Sequence, residues 1–189
     1  MHRKKSGLIL VIATAAIAAG CDVPSFTVQV EPVIETYGAP VSISEFDDDG
    51  RVVSRRTVPS VVRNDAAWMQ ALPWGSFPFS RGGATELAYS GKFHDHFEPG
   101  VYRCAGCATA VFSSIDKYDS NTGWPSFTRP LADSNVVVEW DSSWGLRRRA
   151  VRCVRCGSHL GHVFGDGPPP TLRRYCINSA SLVFEPRGG

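Results

Sequence analysis

Two Cys-x-x-Cys pairs, Cys104/Cys107 and Cys153/Cys156, stand 45 residues apart, and they restrict this chain more than any other feature. Such a turn sets two sulfurs on one side of a tight knuckle, and two knuckles complete the tetrahedral thiolate shell that zinc prefers. Gly106 and Gly157 suit the sharp backbone that knuckles need. A compact zinc ribbon spaces its pairs by about 15 to 20 residues, so here the knuckles are expected to be held by an intervening sheet. A closed four-cysteine shell leaves no open coordination position, which makes the expected metal, one Zn²⁺ per chain, structural. Disulfides are the competing reading in an oxidising compartment. Neither pair, however, opens a βαβ unit of the thioredoxin kind. Iron also accepts four thiolates, and zinc is expected here from ligand type.

A chain of 189 residues is the size of one domain with an appendage. Thirteen prolines and eighteen glycines imply frequent turns and favour a mainly β architecture. Strands are expected at Gly100–Arg103, Ala110–Phe112, Val136–Trp140, Leu146–Cys153, His162–Phe164 and Ser181–Phe184. One short helix is expected over 66–72, with Asn64-Asp65 as its cap and Pro73 as its stop. Residues 22–60 read as a tether or accessory hairpin, with strands at Val41–Phe46 and Arg51–Ser54 around an Asp-rich turn. Asp47, Asp48 and Asp49 lack the alternating oxygen ligands of a calcium loop.

The N-terminus reads as an address. Arg3, Lys4 and Lys5 precede an apolar run over 8–19, and Ala18-Ala19-Gly20 leads into Cys21. Twelve apolar residues span about 18 Å as a helix, short of the roughly 30 Å hydrocarbon core, so residues 1–20 are expected to be a cleaved signal peptide. The segment resembles a bacterial lipoprotein signal. That resemblance implies a lipidated Cys21, a membrane anchor and an extracytoplasmic body in the periplasm or cell envelope. Without Arg3, Lys4 and Lys5 the chain has seventeen basic against eighteen acidic residues. So neutral a body lacks the basic footprint of a nucleic-acid binder. Arg147, Arg148 and Arg149 are its one notable basic run and read as a solvated strand end.

One body cysteine is left over. Cys176 follows Arg173 and Arg174, whose guanidinium charge is expected to lower its pKa. A buried free cysteine is often only a small hydrophobe. The nucleophile reading gains from His159-Leu160-Gly161-His162 upstream and from Asn178, which period two places on the strand face of Cys176. His159 and His162 share a face only if the glycine bends the strand between them.

The motifs Thr85–Gly91, Pro99–Cys107, Phe112–Ser114, Gly123-Trp124-Pro125-Ser126-Phe127, Cys153–Phe164 and Arg174–Leu182 together resemble the methionine-R-sulfoxide reductases, the B class. They run in order across a domain spanning 61–186. The resemblance implies two antiparallel sheets in a barrel-like arrangement with a distal tetrathiolate zinc, and reduction of the R epimer of methionine sulfoxide in proteins or peptides. It implies Cys176 as nucleophile and His159, His162 and Asn178 around the sulfoxide oxygen. Trp124 would wall the substrate methyl, Arg174 would belong to the charged surroundings of the cysteine, and Phe164 would be packing or pocket wall. Trp140 and Trp144 are instead expected in the core. Many members regenerate through a resolving cysteine before Gly-Trp-Pro-Ser-Phe, where this chain has Ser120-Asn121-Thr122. Direct reduction by a thioredoxin-like protein or a small thiol is therefore expected, in a monomer. The alternative is a zinc-stapled binding module without turnover.

Overall fold

The computed structural model describes residues 32–47 and 50–188. The expected signal segment, Cys21 and residues 22–31 lie outside the described residues. Among the described residues no helix is long and apolar enough to cross a membrane.

Glu31–Gly189 forms one compact unit. Its elements in chain order are β1 (Glu35–Phe46), β2 (Val52–Arg63), α1 (Asp65–Ala71), α2 (Phe77–Ser80), β3 (Gly100–Cys104) and β4 (Ala110–Ser113). Then follow β5 (Lys117–Tyr118), β6 (Ser126–Phe127), β7 (Val136–Asp141), β8 (Arg148–Cys153), β9 (His159–Phe164), β10 (Arg174–Ile177) and β11 (Leu182–Pro186). The strands make a hairpin, a six-stranded antiparallel sheet ordered β5-β6-β10-β9-β8-β7 and a three-stranded antiparallel sheet ordered β11-β3-β4. Mainly β architecture is thus what the sequence implied. Aromatic side chains join the two larger sheets: Phe112 of β4 stacks on Phe127 of β6 at 4.5 Å, and Tyr102 of β3 meets Phe127 edge-on at 5.1 Å. Offset and edge-on ring pairs of this kind add about 1 kcal/mol each beyond their buried area.

Helix α1 forms as expected. The Asn64 side chain accepts a hydrogen bond from the Ala67 amide at 3.0 Å, and Pro73 follows directly after the C-cap Leu72. Its Trp68 is buried. The expectation for Trp140 is overturned, because that ring is 63% exposed with the Arg147 guanidinium stacked over it.

The hairpin is longer than its alternating residues suggested. Pro40 faces Pro59 within it, which a two-stranded ribbon tolerates because each strand keeps one unpaired edge. The hairpin packs on the rest of the unit through buried Ile43, Val58 and Val61. Buried Asn135 takes the Ser44 amide at 2.7 Å and donates to the Ser44 carbonyl at 2.9 Å, so it caps β1 as a paired strand would.

Candidate active site

Strand pairing explains how residues distant in sequence meet. Across the six-stranded sheet, Glu139, Ala150, His162, Cys176 and Ser126 are successive cross-strand partners and so share one face. Two residues further along the strands, Asp141 pairs with Arg148 and Phe164 with Arg174, on the same face by the period of two. His159 joins them through a β-bulge. Val151 pairs with Gly161 but Arg152 pairs with His159, so the register slips by one at Leu160 and turns His159 to the side of His162. The two imidazoles meet edge-on at 5.0 Å. Gly161 is required where β9 passes closest to β10: a Cβ there would collide with the Cys176 carbonyl oxygen and lie 2.8 Å from Ile177 Cα.

A cavity of about 240 Å³ opens on this face, and Cys176, His162, Asn178, Trp124, Phe164 and Arg174 all line it. His159 sits behind, 1% exposed, with neither ring nitrogen hydrogen-bonded among the described residues. Sequence reasoning missed three further lining residues, Thr85, Thr122 and Arg148. The reading of Arg147–Arg149 as a solvated strand end fails for Arg148, whose guanidinium lies 3.6 Å from the Asp141 carboxylate. A larger polar depression of about 460 Å³ opens beside Arg129, Thr171 and Tyr175, and contains no thiol.

The loops are fixed by specific bonds. The Trp124 indole donates to the Glu86 carbonyl at 3.0 Å. Strand β10 ends at Ile177, and the Asn178 carboxamide clamps the segment carrying Thr85: its nitrogen donates to the Ala84 carbonyl at 3.0 Å and its oxygen accepts the Glu86 amide at 3.2 Å. Arg174 makes a bidentate pair with Asp166 at 2.9 and 2.8 Å and lies over the Phe164 ring at 4.6 Å.

The electrostatics correct one expectation. Burial pushes the Cys176 thiol above its ordinary value, outweighing the Arg174 charge and hydrogen bonds from Thr122 and Arg174. Arg173 is exposed and Arg174 is shared with Asp166, so the two guanidiniums do not produce a net lowering. Burial and the neighbouring His162 push His159 down to about 4, which keeps its imidazole neutral near pH 7. Burial also lowers His162, against the opposing pull of Asp141. A raised thiol pKa has a direct consequence. In the substrate-free protein, alkylation of Cys176 by iodoacetamide, followed by peptide mass spectrometry, is expected to rise nearly tenfold per pH unit from about pH 6 to 8. A flat profile would mean that the thiolate is already formed.

The four paired cysteines gather elsewhere. Cys104 and Cys107 bound the β3–β4 turn, and Cys153 and Cys156 the β8–β9 turn, so the cluster joins the two larger sheets. Their sulfurs all lie within 4.8 Å of one another. The short separations run between the knuckles, 3.6 Å for Cys104–Cys156 and 3.5 Å for Cys107–Cys153. Bonds of about 2.3 Å from a central zinc place tetrahedral sulfurs about 3.8 Å apart, so the cluster fits a metal ion such as zinc. Gly157 takes the left-handed conformation at φ +67°. Gly106 is needed for space, since a Cβ would lie 2.8 Å from Ser158 Oγ. Arg63 and Arg81 both lie over the Trp68 ring, at 4.9 and 4.7 Å, and they donate to the knuckle carbonyls of Gly106 and Cys156.

The SelR domain family matches residues 76–186, well over half of the chain. The chain belongs to this family. Its relatives named peptide methionine sulfoxide reductase MsrB include one from Methylibium petroleiphilum, 50% identical over 127 residues that cover 67% of this chain and 92% of the relative. One from Pseudomonas paraeruginosa is 52% identical over 65% of this chain and 93% of its own length. One from Agrobacterium fabrum is 44% identical over 71% and 99%. The SelR match holds both cysteine knuckles and every residue lining the cavity, and begins after β1, β2 and α1.

Proposed function

We propose that this SelR-domain chain is a peptide-methionine (R)-S-oxide reductase, with Cys176 as nucleophile and His162 as proton donor. One observation carries the reading: Cys176 and His162 are direct cross-strand neighbours in a cavity walled by Trp124. Protonating the sulfoxide oxygen makes its sulfur electrophilic, so donor and thiolate must be adjacent. The ring face of Trp124 suits a methyl on positively polarised sulfur, and Phe164 with Arg174 over its ring also lines the cavity. His159 holds the oxygen through water. Asn178, besides clamping the backbone at 84–86, has a second amide hydrogen for it.

In balance, the Cys176 thiol and the sulfoxide give a thioether and a sulfenic acid on Cys176. The enzyme sulfur loses two electrons, the substrate sulfur gains them, and the oxygen leaves with the enzyme. Two external thiol groups then return Cys176 to the thiol, giving a disulfide and water. The other four described cysteines belong to the metal cluster. With Cys21 lipidated and so unable to resolve the sulfenic acid, the reductant is a thioredoxin-like protein or a small thiol.

Cys104, Cys107, Cys153 and Cys156 hold one structural Zn²⁺, which supplies no chemistry to the substrate. The remaining assignments follow the sequence. Residues 1–20 are a signal peptide, Cys21 is the lipidated anchor, 22–60 links it to the reductase domain at 61–186, and the protein is an extracytoplasmic monomer. The test is consumption of the two epimers of a peptide methionine sulfoxide by the zinc-loaded protein with dithiothreitol. Loss of the R epimer alone is expected. No turnover by folded protein would leave a binding module.

A further inference from the structure

The mechanism above gives Asp141 no part, yet its carboxylate is the hydrogen-bond partner of the buried His162 ring. Asp141 Oδ2 lies 3.0 Å from His162 Nε2, and the His162 side chain is only 6% exposed. One strand, β8, separates these residues. Contact is possible because Ala150, the cross-strand neighbour of His162 on β8, is too small to stand between them. The carboxylate is itself held: Oδ1 accepts the Ser143 amide at 2.8 Å, and Arg148 approaches Oδ2 at 3.6 Å. Bonds to Ser143 and His162 keep it ionised far below the usual carboxylate range.

An ionised carboxylate only accepts, so Nε2 must carry the hydrogen of this bond. The proton that comes and goes on His162 is then the one on Nδ1. We propose that Asp141 is a positioning residue of the reductase reaction: it fixes the His162 tautomer and ring plane and favours the protonated ring that serves the sulfoxide oxygen. The proposal rests on the reductase reading and goes beyond it. It also explains how two histidines 5.0 Å apart divide the work. Only His162 has a carboxylate partner, whereas neither nitrogen of His159 has one. The charged and titratable groups around His162 are Asp141 from β7, Arg148 and Arg152 from β8, His159 on its own strand and Cys176 from β10. Asp141 supplies the negative charge among them that bonds the ring; both arginines oppose protonation.

The test compares the full zinc-loaded chain with Asp141→Asn and Asp141→Glu, measuring kcat and KM for the R epimer across pH. Side-chain nitrogen NMR of His162 is recorded in parallel. Asp141→Asn is expected to lower kcat about 30-fold, part of what general-acid catalysis contributes, with KM within about twofold. The carboxylate favours the cationic ring, so its loss lowers the His162 pKa. The alkaline limb that follows the proton on His162 is then expected about one pH unit lower. Asp141→Glu restores most of kcat and the limb, and also guards against a folding defect in the amide variant. A profile for Asp141→Asn that superimposes on wild type, or an unchanged His162 tautomer and titration, would overturn the proposal. Absence of turnover in wild type would sink the reductase reading instead, while the His162 titration would still decide this one.

Discussion

Cys176→Ser is expected to remove turnover of the R epimer by at least about four orders of magnitude while leaving the fold and the metal content intact. A serine hydroxyl in this cavity has neither the acidity nor the polarisability of a thiol. Cys176 is partly buried on a strand held on both sides by β6 and β9, so one sulfur-to-oxygen exchange disturbs no backbone pairing. Rates with dithiothreitol, zinc content and thermal unfolding of the two proteins make the comparison. Substantial residual activity would transfer the nucleophile role away from Cys176. The other described thiols sit in the cysteine cluster and do not line the cavity, so the whole proposed reaction would then fail.

Cys153→Ser is expected to have the second largest effect, on the fold. Cys153 is buried and ends β8, and its sulfur lies 3.5 Å from that of Cys107 in the other knuckle. Zinc in such a shell contributes apparent folding free energy of about 10 to 16 kcal/mol in small zinc domains. That matches or exceeds the net stability of about 5 to 15 kcal/mol of an ordinary domain. Breaking the shell therefore leaves a protein that retains no zinc and loses its cooperative unfolding transition, and chelator treatment of wild type does the same. Elemental analysis and circular dichroism report both. A metal-free variant with an unchanged melting temperature would show that the aromatic core between the sheets suffices.

What could be read in the letters was mostly local. The knuckles and the cap of α1 depend on neighbours a few residues away, and they stand where their spacing put them. The cavity is different. Cys176 and His162 were recognisable from their motifs, yet that they touch depends on the register of β9 against β10. The shared face of His159 depends on a bulge that no residue pattern announces. Asp141 and Arg148 escaped notice for the same reason, since on paper they are one acid after a tryptophan and the middle of three arginines. The two-residue strands β5 and β6 and the four-residue α2 are too short to show any period. Trp140 was misplaced because an aromatic ring stacked under an arginine reads like a core residue in composition.

The contacts of Arg63, Arg81 and Trp68 have a mechanical meaning. Val61 donates to the Arg155 carbonyl at 2.8 Å, so β2 also bonds directly to the second knuckle. A pull applied at Glu35, where β1 begins, crosses the hairpin into β2, whose Val61 and Arg63 bond the two cysteine turns. Each turn closes a different sheet, and a metal ion held by the four cysteines would join them. With such an ion bound, the load would be shared by both larger sheets. Asp141, Phe164 and Arg174 stand at the strand ends far from the knuckles. A load entering at the hairpin would thus meet the cysteine turns before it met this side of the cavity.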